Sequence, residues 1–137
     1  MIYPIANWQK LKRGYKFGEK TFYTAHHLGI DIICSSGTPI VAWQDLEVIK
    51  FMVGAEGGNT IWVKCPNNPR LFRLMHLLNP VKVGKYKQGV VIAKVGSTGN
   101  LSTGPHLHMD ICRNGVLDLK NFGNFEDVEA YFKQFVK

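Results

Sequence analysis

Two histidines one residue apart, His106 and His108, carry the strongest chemical signal in the sequence. They follow a turn-rich segment, residues 96–105, and begin a run of alternating residues. Because side chains two apart in an extended strand share a face, both imidazoles are predicted to reach one spot while Leu107 points the other way. Such a pair can bind a metal, carry protons in acid–base catalysis, or divide the two roles between its members.

Three polar residues upstream offer partners for this pair. His27 and Asp31 lie four residues apart, and His76 lies in a hydrophobic, strand-like run. A strand puts His27 and Asp31 on one face; a helix would also align them, but Gly29 and the β-branched residues after it favour the strand. Two imidazole nitrogens and one carboxylate oxygen are a common ligand set for a catalytic zinc that keeps a fourth position open to water.

Two neighbouring residues receive a plainer interpretation. In a strand, His26 points away from the face of His27, so we expect an ordinary surface residue. Asp110 shares the face of His106 and His108. Its carboxylate could orient one of these imidazoles from behind, as carboxylates often do for metal-bound histidines.

Short strands must position these side chains. Hydrophobic and β-branched segments predict strands at residues 28–34, 39–43, 46–53, 60–64, 70–77, 90–95 and 107–112. Turn residues separate them, most clearly at 35–39 and 66–69. Short strands with turns between them are typical of a mainly β fold, here a compact antiparallel β-sandwich or barrel-like domain.

The last segment, residues 124–137, has a different period. Its apolar residues fall at positions 128, 131, 132, 135 and 136, the spacing of an amphipathic helix. Acidic residues follow a start near Asn124 or Phe125, as helix N-termini favour. We therefore predict a C-terminal helix that packs on the sheet.

Bulk properties limit the classes of function. At 137 residues the chain fits one domain, and its net charge of +7 favours polyanionic surroundings. The basic residues are scattered, which argues against a specific nucleic-acid site. The three cysteines lack CxxC spacing and leave one unpaired, which argues against a disulfide framework. No leader-like N-terminus and no run of about 18 apolar residues is visible, so neither a signal peptide nor a membrane span is predicted.

Taken in order, His27-x-x-x-Asp31, His76-Leu77 and His106-x-His108 resemble the lysostaphin-like and LytM-like zinc peptidases, which cut peptide bonds in bacterial peptidoglycan. The resemblance covers roughly residues 17–118. It includes the glycine-containing segments 17–18, 29–32, 37–42, 58–59, 83–84 and 96–108.

The resemblance implies roles for all five residues. His27, Asp31 and His108 would hold Zn²⁺, and His76 and His106 would be the catalytic pair, with the general base of the two left open. It also implies a groove above the metal, walled by loops near residues 12–24, 54–59, 65–71 and 97–104. The expected function is zinc-dependent hydrolysis of a stem-peptide or cross-bridge bond in peptidoglycan.

The expected organisation is a single peptidase domain of residues 1–137, with an N-terminal arm at 1–16, a catalytic core at 17–118 and the helix at 124–137. Without a visible signal peptide, the chain looks like a phage-encoded enzyme, associated with the virion or released at lysis, with phage tail or lysis proteins as partners. Two alternatives are a non-catalytic wall-binding module and a phage tail component with a structural zinc. Retention of all five residues favours the enzyme.

Overall fold

The computed structural model describes all 137 residues of the chain. Its strands are β1 Lys12–Arg13, β2 Gly29–Ile33, β3 Pro39–Val41, β4 Leu46–Gly54, β5 Gly58–Lys64, β6 Leu71–Leu77, β7 Gly84–Tyr86, β8 Val91–Lys94, β9 His106–Cys112 and β10 Phe125–Glu126. The helix α1 spans Val128–Phe135, and short 3-10 turns lie at Trp8–Lys10 and Phe122–Asn124.

The strands form one large sheet and one small one. The main sheet has the order β1-β2-β9-β6-β5-β4-β7, with β10 also paired to β9, and the small sheet pairs β3 with β8. All the pairings are antiparallel. The predicted mainly β, antiparallel fold is confirmed. Strand β9 lies between β2 and β6, so it brings early and middle segments of the chain together.

The two faces of the main sheet have different surroundings. On β9, Leu107, Met109 and Ile111 are fully buried in the hydrophobic core. The residues that alternate with them, including His108 and Asp110, line a groove on the opposite face. The period-2 pattern of the strand therefore separates core from site, as the sequence predicted.

The C-terminal helix is present but starts later than predicted. Residues Phe122–Asn124 form a 3-10 turn, and Phe125–Glu126 pairs with Cys112 and Ile111 of β9 as a short strand. The helix begins at Val128, where the side chain of Asp127 accepts hydrogen bonds from two backbone N–H groups. The predicted start near residue 124 was wrong because pairing with β9 holds these residues extended.

The N-terminal arm packs on this helix and completes the core. Ile5 and Trp8 are buried, and the Trp8 ring lies 5.5 Å from the ring of Phe132 in α1. Phe132 also contacts the core residue Trp43, with ring centroids 5.9 Å apart. The two ends of the chain thus close the same side of the domain. The fold contains no helix with the length and apolar character that a membrane crossing requires.

Candidate metal centre

A groove of about 1160 Å³ lies on the face of the main sheet opposite the core. All five residues singled out in the sequence line it: His27, Asp31, His76, His106 and His108. The structure thus brings together side chains from three separate segments of the chain.

Loops form the groove walls. Lining residues come from three of the four predicted wall segments, at 14–24, 54–57 and 101–104. The fourth prediction was wrong, since none of residues 65–71 lines the groove. That turn joins β5 to β6, and Arg70 there forms a 2.9 Å ion pair with Glu126, away from the groove. Leu117 and Leu119 line the groove instead.

The candidate metal ligands come from two neighbouring strands. Asp31 of β2 lies directly opposite His108 of β9, and His27 precedes β2. The nearest Asp31 oxygen lies 3.4 Å from His27 Nε2 and 3.0 Å from His108 Nδ1. One ligand atom from each residue lies within 4.8 Å of the others. Tetrahedral zinc with bonds of about 2.0–2.2 Å separates its ligand atoms by about 3.3 Å, so this set fits zinc.

A loop holds His27, which lies just outside the predicted strand. Strand β2 begins at Gly29, and the backbone N–H of His27 donates to the Glu19 carbonyl at 2.7 Å. The His27 carbonyl accepts from Gly18 at 2.8 Å. Nδ1 of His27 is buried without a hydrogen-bond partner, whereas Nε2 faces Asp31. Nε2 is therefore the ring atom available to a metal.

The candidate ligands Asp31 and His108 shift each other's pKa. Burial raises the pKa of Asp31, but hydrogen bonds from His108 and His27 outweigh it and hold that pKa well below its usual range. Burial lowers the pKa of His108, but hydrogen bonds to Asp110 and Asp31 outweigh it and raise that pKa to about 9. In the metal-free protein, Asp31 is thus an anion that holds imidazole protons at close range.

Behind His108 lies a buried ion pair. Nε2 of His108 is 2.8 Å from Oδ2 of Asp110, the partner that the sequence suggested. Asp110 in turn accepts two hydrogen bonds from Arg73, at 2.8 and 2.7 Å. Sequence reasoning missed Arg73, because its position opposite Asp110 depends on the register of β6 against β9.

His76 reaches the groove through a local irregularity of β6. Leu74 is buried in the core and Met75 faces the groove, so regular alternation would send His76 to the core side. Instead, the register between β5 and β6 shifts at this point, and His76 adopts a φ of 65°. A bulge of this kind re-aims a side chain. Positive φ at a non-glycine residue is strained, a feature that clusters at functional sites.

Backbone carbonyls fix the rings of the catalytic candidates. Nδ1 of His76 lies 2.7 Å from the Thr98 carbonyl oxygen, and Nδ1 of His106 lies 2.8 Å from that of Gly104. A carbonyl oxygen only accepts, so each Nδ1 carries the hydrogen and each neutral ring has its acceptor at Nε2. The two ring centroids are 4.6 Å apart, and Nε2 of His106 lies 3.9 Å from Asp31.

Burial lowers the pKa of His76 to about 4, although the hydrogen bond to the Thr98 carbonyl acts to raise it. The nearby rings of His106 and His108 act in the same direction as burial. At neutral pH the ring of His76 is therefore uncharged and can accept a proton.

Two glycine loops hold the Thr98 carbonyl against His76. Gly58 has a φ of 65° and Gly99 a φ of 91°. A Cβ on Gly58 would collide with Thr98, and one on Gly99 would collide with the backbone of Gly57 and Gly58. Only glycine permits this back-to-back contact. The glycine-rich segments of the sequence therefore support a candidate catalytic side chain as well as contributing to a wall.

His26 is a surface residue, as predicted. Its side chain is exposed, is not among the groove-lining residues, and stacks on Phe122 with ring centroids 4.8 Å apart. It takes no part in the candidate site.

Comparison with known proteins identifies relatives of this arrangement. Residues 25–118 match the family described as "Peptidase family M23". The Vibrio cholerae "Peptidoglycan DD-endopeptidase ShyC" is 37% identical over 92 residues, which are 66% of this chain and 21% of that protein. The Staphylococcus capitis "Glycyl-glycine endopeptidase ALE-1" is 34% identical over 115 residues, 80% of this chain and 32% of that protein. The chain spans only about a fifth to a third of these two relatives.

The fold has a close match of similar size. The catalytic domain of the antimicrobial peptidase lysostaphin from Staphylococcus simulans matches with a TM-score of 0.78 at 26% identity. The match covers 92% of this chain and 95% of that domain. It confirms both the mainly β fold and the family resemblance read from the sequence. Because the family match spans more than half of its residues, the chain belongs to peptidase family M23.

Proposed function

We propose that the chain is a zinc-dependent endopeptidase that hydrolyses peptide bonds in bacterial peptidoglycan. The observation that carries the proposal is the convergence of a three-residue zinc set and two oriented histidines on one open groove. A purely structural zinc normally has four protein ligands. Three candidate ligands facing a groove favour a metal that keeps a position for water or substrate.

His27, Asp31 and His108 would hold the zinc. When bound, zinc supplies a more acidic water and polarises a carbonyl group. The remaining polar groups at the site are then available for proton transfer and for binding the reacting peptide.

His76 and His106 would carry those protons. Each has Nδ1 tied to a backbone carbonyl, so each neutral ring can accept a proton at Nε2 and pass it on. Together they would provide a base for the attacking water and, once a ring has taken up a proton at Nε2, an acid for the departing amine and a donor to the oxyanion. Which ring serves as the general base stays open.

The relatives suggest the substrate class. ShyC is named as a peptidoglycan DD-endopeptidase and ALE-1 as a glycyl-glycine endopeptidase. Both names refer to peptide bonds, so we propose a stem-peptide or cross-bridge bond for this chain. The groove, with apolar and polar lining residues and a volume of about 1160 Å³, is compatible with a peptide substrate.

The test is digestion of purified peptidoglycans that differ in their cross-links. Zinc-loaded protein is incubated with each, and the released fragments are identified by mass spectrometry beside a metal-stripped control. New amino termini that appear only with zinc would establish the activity and identify the bond. If folded, zinc-containing protein cleaves none of them, the non-catalytic wall-binding or tail module becomes the better interpretation.

The partners suggested by the sequence stay predictions. We propose action in the cell wall or periplasm, with delivery by a phage tail or release at lysis. Mass spectrometry of purified virions and of phage lysates would distinguish the two routes. Absence of the chain from both would contradict phage delivery.

A further inference from the structure

We propose that Asp110, clamped by Arg73, is a positioning residue that fixes the ring of His108 and presents its Nδ1 to the metal. The inference rests on the proposed zinc-dependent function and deepens it. It concerns two residues that take no part in ligation or proton transfer and whose side chains lie behind the metal ligands.

The clamp is rigid and buried. Arg73 of β6 lies directly opposite Asp110 of β9. Nε of Arg73 donates to Oδ1 at 2.8 Å and Nη2 donates to Oδ2 at 2.7 Å, so both carboxylate oxygens are held in a two-point contact. The side chain of Asp110 is fully buried and that of Arg73 is 7% exposed. Asp110 therefore has one orientation, set by the strand register.

This orientation determines which nitrogen of His108 faces the metal. Oδ2 of Asp110 lies 2.8 Å from His108 Nε2, and a carboxylate held by Arg73 can only accept there. Nε2 must therefore carry a hydrogen. Nδ1, which lies 3.0 Å from Asp31, is therefore the ring atom that would give up its hydrogen and bind a metal.

The other candidate imidazole ligand has no such support. Nδ1 of His27 is buried without a hydrogen-bond partner, so no acceptor behind that ring fixes its tautomer. The carboxylate behind His108 is thus a specific feature of one ligand. Carboxylates in this position fix the tautomer and raise the basicity of metal-bound imidazoles.

Gly29 keeps the space that the carboxylate occupies. Gly29 of β2 lies opposite Asp110, and a Cβ there would lie 2.8 Å from the Asp110 Cβ and would collide with the Met109 carbonyl. The strand beside the ligand Asp31 therefore has no side chain that could displace Asp110. Three strands, β2, β9 and β6, combine to hold one imidazole.

The main test replaces both members of the clamp by apolar residues. Exchange of a buried ion pair for well-packed apolar side chains is often neutral or stabilising, so an Arg73→Leu/Asp110→Leu variant is expected to fold. We expect zinc affinity, measured by chelator competition at fixed pH, to fall by about 10- to 100-fold. Nitrogen-15 NMR of the zinc-loaded protein should show the slowly exchanging Nε2 proton of His108 in the parent, and its loss in the variant.

A matched control uses a second arginine–carboxylate ion pair close to these strands. Arg70, just before β6, forms a 2.9 Å ion pair with Glu126 of β10, and neither residue lines the groove. An Arg70→Leu/Glu126→Leu variant should keep the zinc affinity of the parent. Circular dichroism and thermal unfolding of both double variants separate loss of folding from loss of metal.

The outcomes distinguish this inference from the proposed function. If the parent binds no zinc, both fail. If the parent binds zinc and the folded Arg73→Leu/Asp110→Leu variant binds it equally well, the positioning inference alone is overturned. Should that variant not fold, Arg73→Lys keeps a cation but loses the two-point contact. A measurable loss of zinc affinity is then expected, and an unchanged affinity would overturn the inference.

Discussion

Asp31 is the residue on which the candidate site converges. Its carboxylate faces ring nitrogens of His27, His106 and His108 at 3.4, 3.9 and 3.0 Å. In the metal-free protein this carboxylate shares imidazole protons with its neighbours, and a metal would take the place of those protons. Metal binding and protonation therefore compete for the same atoms.

This competition predicts how the metal-free protein responds to pH. The pKa of His108 is about 9 in the folded protein, above its ordinary value of 6.5. The folded state thus binds this proton more tightly than the unfolded chain does. The resulting stability is complete below about pH 6.5 and is lost as pH rises through 9. We expect the free energy of unfolding to fall by up to about 3 kcal/mol over this interval, measured by urea titration without metal.

A variant isolates the contribution of this group. His108→Gln lacks the titrating ring, so the difference in unfolding free energy between parent and variant should shrink from pH 6.5 to 9. Other groups titrate equally in both proteins and cancel in that difference. A difference that stays constant over the interval would contradict the role of His108.

The candidate ligand and the candidate proton carrier should separate in zinc analysis. His108→Ala removes a ligand, so we expect metal and activity to be lost together. His76→Ala removes a proton carrier, so we expect one zinc per chain and a rate lower by about 10² to 10⁴. Metal content by mass spectrometry and hydrolysis rates check both expectations.

The surface residue His26 provides the control for these substitutions. His26→Ala removes an imidazole outside the groove, so metal content and rate should match the parent. A His108→Ala protein that retains tightly bound zinc would contradict the ligand assignment. A His76→Ala protein that loses its zinc would contradict the division of roles.

At the scale of elements, the site depends on a bulge in strand β6. The bulge in β6 turns His76 out of the core, and its ring is held by the Thr98 carbonyl. That carbonyl is held in turn by the contact between the two glycine loops. The two loops together act as a support for one side chain.

Gly58→Ala should therefore impair catalysis more than zinc binding. Its φ of 65° strains any other residue, and its Cβ would push on Thr98, which holds His76. The candidate metal ligands lie on other segments. We expect a zinc-containing protein with a rate lower by about 10²-fold, because small misplacements of catalytic groups are costly. Rates and zinc content are measured on the same preparation.

Gly89→Ala controls for backbone strain alone. Gly89 has a similar positive φ of 88°, but a Cβ there would meet nothing within 4 Å. It should cost about 1 kcal/mol of stability without changing the rate of the remaining folded protein. Equal loss of rate in the two variants would show that strain, and not displacement of Thr98, is responsible.

The strand positions and the face on which the β9 side chains lie could be predicted, because both depend on local sequence pattern. Alternation along β9 correctly put His106, His108 and Asp110 on one face, and the strand segments agree with the observed ones to within a few residues. The missed features depend on register between strands. The partner of Asp110 and the bulge at His76 are properties of paired strands, and no single segment encodes them.

Two errors of the sequence-based prediction, the start of the C-terminal helix and the groove wall at 65–71, have the same origin. A helical period continued back to residue 124 in the prediction, but pairing with β9 holds Phe125 and Glu126 extended. The family resemblance implied a groove wall at 65–71, yet this turn contacts Tyr131 of α1 and Glu126 of β10. Tertiary contacts decided both cases.

At the scale of the whole molecule, the net charge of +7 would act on the proposed substrate, a large anionic wall polymer. Such a charge raises the residence of the protein on polyanionic surfaces, and salt screens the attraction. The charge does not select the bond that is cut, because that depends on the groove. Binding to the wall and chemistry in the groove should therefore respond differently to ionic strength.

We expect hydrolysis of intact, anionic cell wall to fall severalfold as salt rises from about 0.05 to 0.5 M. Hydrolysis of a short, uncharged cross-bridge peptide should change little over the same range. Turbidity of wall suspensions and chromatography of the peptide measure the two rates. A parallel fall in both rates would indicate that salt acts on the site itself.

The central position of β9 has a consequence for biosynthesis. Asp31 and His108 are 77 residues apart in the chain, and they become neighbours only when β9 inserts between β2 and β6. Long-range pairing of this kind is slow to form. A growing chain on the ribosome therefore carries two of the three candidate metal ligands while residues 32–107 are added, and it gains the third only after β9 has emerged. The candidate metal centre is thus completed only when β9 closes the sheet.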